Sequence, residues 1–235
     1  MQLFYTPALN PETTAFEFSR EESQHLVKVL RSKEGDMVHT TNGRGYLFTT
    51  RILEAHPQRC KAEVIDAKKK YKRHYHLHMA VAPTKSNTRF EWFLEKATEI
   101  GVDEITPLLC ERSERKVIKA GRMEKVIESA MKQSLRTFLP KLNPAVGFEA
   151  FIGQEHPGMR FIAHCEEGEK TDLKRRLGAD QDVTILIGPE GDFSHEEINK
   201  AYEAGFRPIS LGEARLRTET AAIMACATVN VINSG

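Results

Sequence analysis

Three short stretches gather residue types that could hold and act on a small ligand. They are Gly188-Pro189-Glu190-Gly191-Asp192-Phe193, Leu211-Gly212 running on through Glu213-Ala214-Arg215 to Leu216-Arg217-Thr218-Glu219-Thr220-Ala221, and His164-Cys165-Glu166-Glu167. In the first, two glycines let the backbone approach a ligand closely and Pro189 stiffens the turn. Read singly, the first two stretches are equally compatible with tight turns. Other features carry less chemistry. His74, His76 and His78 alternate, which puts three imidazoles on one strand face, but no fourth ligand stands nearby and no metal is expected. Gly43-Arg44-Gly45 is too short for a dinucleotide fingerprint and marks a hairpin. Cys60, Cys110, Cys165 and Cys226 are scattered without Cys-x-x-Cys spacing, so neither a zinc site nor a disulfide framework is indicated.

The elements that must position these stretches follow from hydrophobic period. Up to about residue 70 the chain reads as short strands and turns. Leu3–Thr6, Met37–Thr41, Tyr46–Leu53 and Lys61–Ile65 are strand-like, Arg20–Arg31 is helix-like, and Asn42-Gly43 is a turn signal. The basic run from Lys68 to Arg73 then reads as a linker. Beyond it strands alternate with helices. His76–Pro83, Glu104–Leu109, Arg160–His164, Val183–Gly188 and Pro208–Gly212 are strands. Phe90, Phe93, Leu94, Ala97 and Ile100 share one helical face that ends at Gly101, and Met123, Val126, Ile127, Ala130 and Met131 share another before Pro140. Ser194-His195-Glu196-Glu197 is a capping box. Such alternation predicts a parallel sheet with helices on its faces, and in an open α/β sheet ligands bind where loops leave the carboxyl ends of strands. All three ligand-competent stretches are such exits.

Composition sets outer bounds. The chain has 235 residues, 40% hydrophobic and 29% charged, enough for one large core or a medium core with a small appended domain. No run of about 18 apolar residues is available to span a bilayer, and the first ten residues lack the basic-then-apolar pattern of a signal peptide, so a cytoplasmic location is expected. Net charge is +1, yet residues 1–144 carry 25 Lys and Arg against 18 Asp and Glu, while residues 145–235 carry 9 against 15. The basic front suits a polyanion, although a solvated charged face has the same signature.

Taken together, Ile187-Gly188-Pro189-Glu190-Gly191 with Phe193-Ser194, Leu211-Gly212, and Leu216-Arg217-Thr218-Glu219-Thr220-Ala221 resemble the cofactor motifs of the SPOUT methyltransferases, and their spelling resembles the 16S ribosomal RNA uracil-N3 methyltransferase family. Further matching positions are His25-Leu26, Val29-Leu30-Arg31, Gly35-Asp36, Lys85, Arg89, Glu95 to Val102, Pro107, Glu111-Arg112-Ser113, Gln133-Ser134, Arg136 and Pro140, so the resemblance covers nearly the whole chain. Asp192 stands where that family usually has a third glycine, and Glu213-Ala214-Arg215 replaces a more usual Pro-Arg-aliphatic run.

The resemblance implies a PUA-like RNA-binding β-barrel over residues 1–72 and an α/β methyltransferase domain with a parallel sheet over 73–235, its carboxyl end tied in a trefoil knot. It implies S-adenosyl-L-methionine as cofactor, held by His164, Ile187, Gly188, Pro189, Glu190, Gly191, Leu211, Gly212, Leu216, Arg217, Thr220 and Ala221. It implies methylation of N3 of a uridine in 16S ribosomal RNA, within the small ribosomal subunit, by a homodimer with no metal and no membrane partner. That reaction removes a weakly acidic imide proton, so it needs a base or a cation that stabilises the forming imidate, and Arg217 and Glu219 lie in the right loop. Glu190 and Glu219 could equally cap a helix or brace a loop. His25, Arg31, Lys85, Arg89, Arg112 and Arg136 are the candidate RNA contacts, each also compatible with an ordinary surface ion pair. The rival readings are a SPOUT enzyme acting on another RNA or position, and a non-catalytic RNA-binding assembly factor.

Overall fold

The computed structural model describes residues 2–234, and the chain divides into two units. The first comprises the chain as far as Lys72 together with Glu128–Leu139, and the second Arg73–Ile127 together with Pro140 onward. The first unit is therefore discontinuous in sequence. Its second segment is tied in by backbone. Gly45 N donates to Thr137 O at 2.8 Å and Leu139 N to Gly43 O at 2.9 Å, while Lys132 Nζ meets Glu22 Oε1 at 2.7 Å.

The first unit is built on a five-stranded sheet of β1 (Leu3–Tyr5), β2 (Ala15–Glu17), β3 (Met37–Thr41), β4 (Tyr46–Glu54) and β5 (Lys61–Lys69), in the order β1-β3-β4-β5-β2. The β1–β3 pair is parallel and the rest are antiparallel, with register shifts in the β4–β5 pair that bend the sheet. Its core is Phe4, Phe18, Leu26, Ile52, Cys60 and Ala62. The helix expected over Arg20–Arg31 is split. Helix α1 (Arg20–Gln24), capped by the Ser19 side chain, passes into a wider π turn over His25–Val29, closed by Leu30 N to His25 O at 3.0 Å. The break falls just before Arg31, whose φ of 59° cannot continue a right-handed helix.

The second unit carries an eight-stranded parallel sheet. Its strands are β6 (Leu77–Val81), β7 (Glu104–Leu109), β8 (Lys141–Leu142), β9 (Val146–Gly147), β10 (Met159–Ala163), β11 (Thr171–Asp172), β12 (Val183–Ile187) and β13 (Arg207–Ser210). The order is β11-β13-β10-β12-β6-β7-β8, with β9 also on β7. Helices α2 (Asn87–Ile100), α3 (Ala120–Gln133), α4 (Phe148–Ile152), α5 (Leu173–Arg176), α6 (His195–Glu203) and α7 (Thr218–Ile232) complete the chain, α3 straddling the division between units. All five residues of β12 are buried, as a central parallel strand covered on both faces requires. On one face Phe148, Phe151, Ile198, Ala201 and Phe206 pack on Ala80, Leu108, Ile162 and Leu186. On the other, α7 packs against α2, β6 and β12. Helix α2 ends at Gly101, in the left-handed conformation at φ 115°, as the sequence predicts.

Candidate active site

The β6, β10, β12 and β13 exits are laced together at the carboxyl ends of their strands. After β12, Gly188 has no room for a side chain: a Cβ there would meet the Phe193 ring at 3.0 Å and its backbone N at 3.2 Å. The turn that follows closes with Asp192 N donating to Pro189 O at 2.9 Å. Glu190 Oε1 accepts from Lys85 N at 2.9 Å, which ties the β6 exit to this turn. Arg112 Nη1 donates to Gly191 O and Phe193 O at 3.1 and 3.2 Å and braces it from the β7 side. The predicted capping box is present: Ser194 Oγ accepts from Glu197 N at 3.3 Å and Glu197 Oε2 from Ser194 N at 2.9 Å.

The β13 exit bends at Gly212, φ 130°, and returns to β12, where Thr218 Oγ1 donates to Gly188 O at 3.0 Å as α7 begins. Arg217 is the N-cap position of α7, and Glu219 sits in its first turn at 6% exposure. One Glu219 oxygen, Oε1, lies 3.7 Å from Arg89 Nε, while Oε2 is buried with no hydrogen-bond partner among the described residues. At the β10 exit, His164 Nε2 pairs with Tyr202 Oη at 2.8 Å, and its Nδ1 is likewise buried and unpartnered. Burial, with Lys170 adding to it, lowers the His164 pKa and keeps the ring neutral.

Between these loops lie two cavities of about 400 and 270 Å³ that share Ala163, Cys165, Arg215, Leu216 and Ala221. Of the predicted cofactor residues, His164, Leu211 and Gly212 line the larger; Ile187, Gly188, Pro189, Glu190 and Arg217 line the smaller; Leu216 and Ala221 line both. Gly191 and Thr220 line neither, Gly191 backing onto Arg112. An unmatched buried polar atom costs roughly 1–3 kcal/mol, so orphans on a cavity-lining residue and at the adjoining helix start fit a ligand with hydrogen-bonding groups.

The predicted RNA contacts fall in two groups. Lys85, Arg89 and Arg112 belong to the second unit, where Lys85 Nζ meets Glu114 at 2.8 Å, Arg89 faces Glu219 and Arg112 holds the β12 exit. His25, Arg31 and Arg136 belong to the first unit. His25 Nε2 lies 3.2 Å from Gln2 Nε2, Arg31 is exposed, and Arg136 N donates to Met131 O at 3.0 Å. Tyr202 and Lys170 escaped the sequence reading. Tyr202 comes from α6, 38 residues from His164, and no local pattern marks it.

The histidine alternation lies elsewhere. His76 and His78 line a cavity of about 450 Å³ at the amino ends of β6, β7 and β12. His78 Nε2 pairs with Thr106 Oγ1 at 2.7 Å and His76 lies 3.5 Å from Glu104. No cluster of His, Cys, Asp and Glu able to hold a metal occurs among the described residues, and no helix there is long and apolar enough to cross a membrane.

Comparison with known proteins matches this geometry to a family. Residues 71–230 match the RNA methyltransferase domain and residues 18–70 the RNA methyltransferase PUA domain. Ribosomal RNA small subunit methyltransferase E of Buchnera aphidicola (subsp. Acyrthosiphon pisum) is 31% identical over 219 residues, spanning 89% of this chain and 85% of that one. Among solved structures, a "probable rRNA-methyltransferase" from Porphyromonas gingivalis superposes with a TM-score of 0.92 at 39% identity, covering 100% of this chain and 99% of that one. Ribosomal RNA small subunit methyltransferase E of Neisseria gonorrhoeae, bound to S-adenosyl methionine, superposes with a TM-score of 0.87 at 25% identity, covering 99% and 98%. With both of its regions matched in order and its strand-exit loops gathered around one pair of adjoining cavities, the chain belongs to the ribosomal RNA small subunit methyltransferase E family.

Proposed function

We propose that this protein methylates N3 of a uridine in 16S ribosomal RNA, using S-adenosyl-L-methionine. The observation that carries the reading is the pair of adjoining cavities at the β10, β12 and β13 exits, with the unpartnered His164 Nδ1 in their lining and Glu219 Oε2 at the adjoining start of α7. Bound there, the cofactor supplies an electrophilic methyl group on a positively charged sulfur. Leu211, Leu216 and Ala221 offer apolar walls to it, and the backbone of Ile187, Gly188 and Leu211 offers hydrogen bonds. His164, neutral and oriented through Tyr202, adds one more polar contact.

The remaining work belongs to Arg217 and Glu219. N3 of uracil becomes nucleophilic as its imide proton leaves, and negative charge then spreads onto the flanking carbonyl oxygens. Arg217, at the rim of the smaller cavity, supplies a cation for that charge. Glu219 is proposed as the acceptor for the departing proton: its Oε2 is unmatched at the start of α7 beside the smaller cavity, and its Oε1 lies 3.7 Å from Arg89 Nε. No covalent adduct is required. Holding the two reactants in attack geometry can itself contribute roughly 7–11 kcal/mol.

Substrate choice falls to the basic side chains. His25, Arg31 and Arg136 in the first unit, and Lys85 and Arg89 in the second, are proposed to contact phosphates of an RNA strand whose target base is turned out of its stack. Arg112 is proposed to act chiefly as a brace of the β12 exit. Also part of this reading are a trefoil knot, supported by the return of the chain from edge-side β13 to central β12, a homodimer, supported by Met224 and Val231 standing 43% and 73% exposed on α7, and action on the small ribosomal subunit in the cytoplasm. The test is transfer of labelled methyl from the donor to purified small subunits, followed by nucleoside analysis. N3-methyluridine is the expected product; label in a ribose or another base would refute the assignment.

A further inference from the structure

Asp192 is held at φ 63°, in the left-handed region that disfavours side-chain-bearing residues. Aspartate tolerates it when its short side chain bonds to nearby backbone. Here Oδ1 accepts from Phe193 N at 2.9 Å, a local bond that secures the turn. The second oxygen does something the turn does not need: Oδ2 accepts from Cys165 N at 2.7 Å, 27 residues away at the β10 exit.

That bond lies where the sheet runs out. The ladder between β10 and β12 ends at the pair Ala163–Ile187, and beyond it the two chains part to form walls of both cavities. The Asp192 carboxylate joins them again just past the last rung. A side chain there must accept the left-handed backbone and present two acceptors at once. Glycine meets only the first need, and asparagine meets the first with a single acceptor oxygen.

We propose that Asp192 is a positioning residue that presets the cofactor cavity, its carboxylate clamping the β12 exit to the β10 exit before the donor arrives. The donor then binds loops that are already ordered, and its affinity is not reduced by the entropy of fixing them. This rests on the cofactor assignment above.

The test uses the full-length protein with S-adenosyl-L-methionine as the calorimetric probe. Asp192→Gly keeps the backbone conformation and removes both bonds; Asp192→Asn keeps the conformation and one acceptor. Donor Kd should rise about tenfold in the glycine variant and about threefold in the asparagine variant. Hydrogen exchange at the Cys165 amide should quicken in both ligand-free variants, and the donor KM should rise while kcat at saturating donor stays within about twofold. Should the glycine variant fold poorly, the asparagine variant decides on the same readouts. Donor affinity unchanged in the variants, or an unchanged Cys165 exchange rate, would overturn the proposal while leaving the cofactor assignment intact. Failure of the unmodified protein to bind the donor would remove both.

Discussion

Arg217 and Glu219 are two residues apart, yet α7 begins between them and gives them different surroundings. Arg217 is exposed at the cavity rim, whereas Glu219 is buried with one oxygen held by Arg89 and the other unmatched. A cation that meets charge only as the imidate forms should act on turnover more than on donor binding. Arg217→Ala is therefore expected to lower kcat on small subunits by roughly 100-fold, with donor Kd changed less than about threefold. Single-turnover methylation beside calorimetry separates the two; equal losses would make Arg217 a wall of the pocket instead. Glu219→Gln removes the proposed proton acceptor and keeps the shape. It should depress the chemical step by roughly 100-fold as well, and a normal single-turnover rate would return Glu219 to bracing α7.

At the scale of elements, the cavities are as firm as the helices that back them. Helix α6 carries Ile198 and Ala201 into the core and presents Tyr202 to His164, and its start is set by the Ser194–Glu197 box. Ser194→Ala removes the acceptor for Glu197 N and should cost about 1 kcal/mol, a fall in Tm of roughly 2–4 °C by scanning calorimetry. An unchanged Tm would mean that tertiary packing alone holds α6. That box was legible because its signature is four consecutive residues, and β12 was legible because a central parallel strand is a run of buried apolar residues. The two-residue strands β8, β9 and β11 were not, since pairing with a neighbour rather than any period defines them. The site divides likewise. Gly188, Leu211 and Leu216 are marked by strand exits and motif spelling, while the Tyr202–His164 and Asp192–Cys165 bonds join positions 38 and 27 residues apart, a relation only the fold creates. The unbroken helix expected through Arg31 failed because its apolar period does not register the π turn at His25–Val29.

Across the whole molecule the opposite ends of the parallel sheet differ in how their polar groups are bonded. The carboxyl ends hold unmatched polar atoms, whereas at the amino ends His78, Thr106, Asn143 and Glu104 bond one another. Burial lowers the His78 pKa to about 4, with His156, His76 and Lys141 pushing the same way and Glu104 opposing. Its folded-state value lies below the ordinary histidine value, so between the two the unfolded chain binds more protons. The stabilisation is full above about pH 6.5 and is lost as pH falls toward 4. Stability should drop by on the order of 3 kcal/mol through that window, and His78→Gln should flatten the profile. Urea titrations at several pH values would show it; an equally steep profile in the variant would assign the slope to other groups.

The proposed activity places a methyl group on the pairing edge of one uracil of small-subunit ribosomal RNA. An N3-methyl group blocks that edge, so reverse transcription reads it as a stop. Primer extension on 16S ribosomal RNA from cells lacking this protein should lose one strong stop, and restoring the intact gene, but not the Arg217→Ala form, should bring it back. A stop pattern identical with and without the protein would refute the proposed activity.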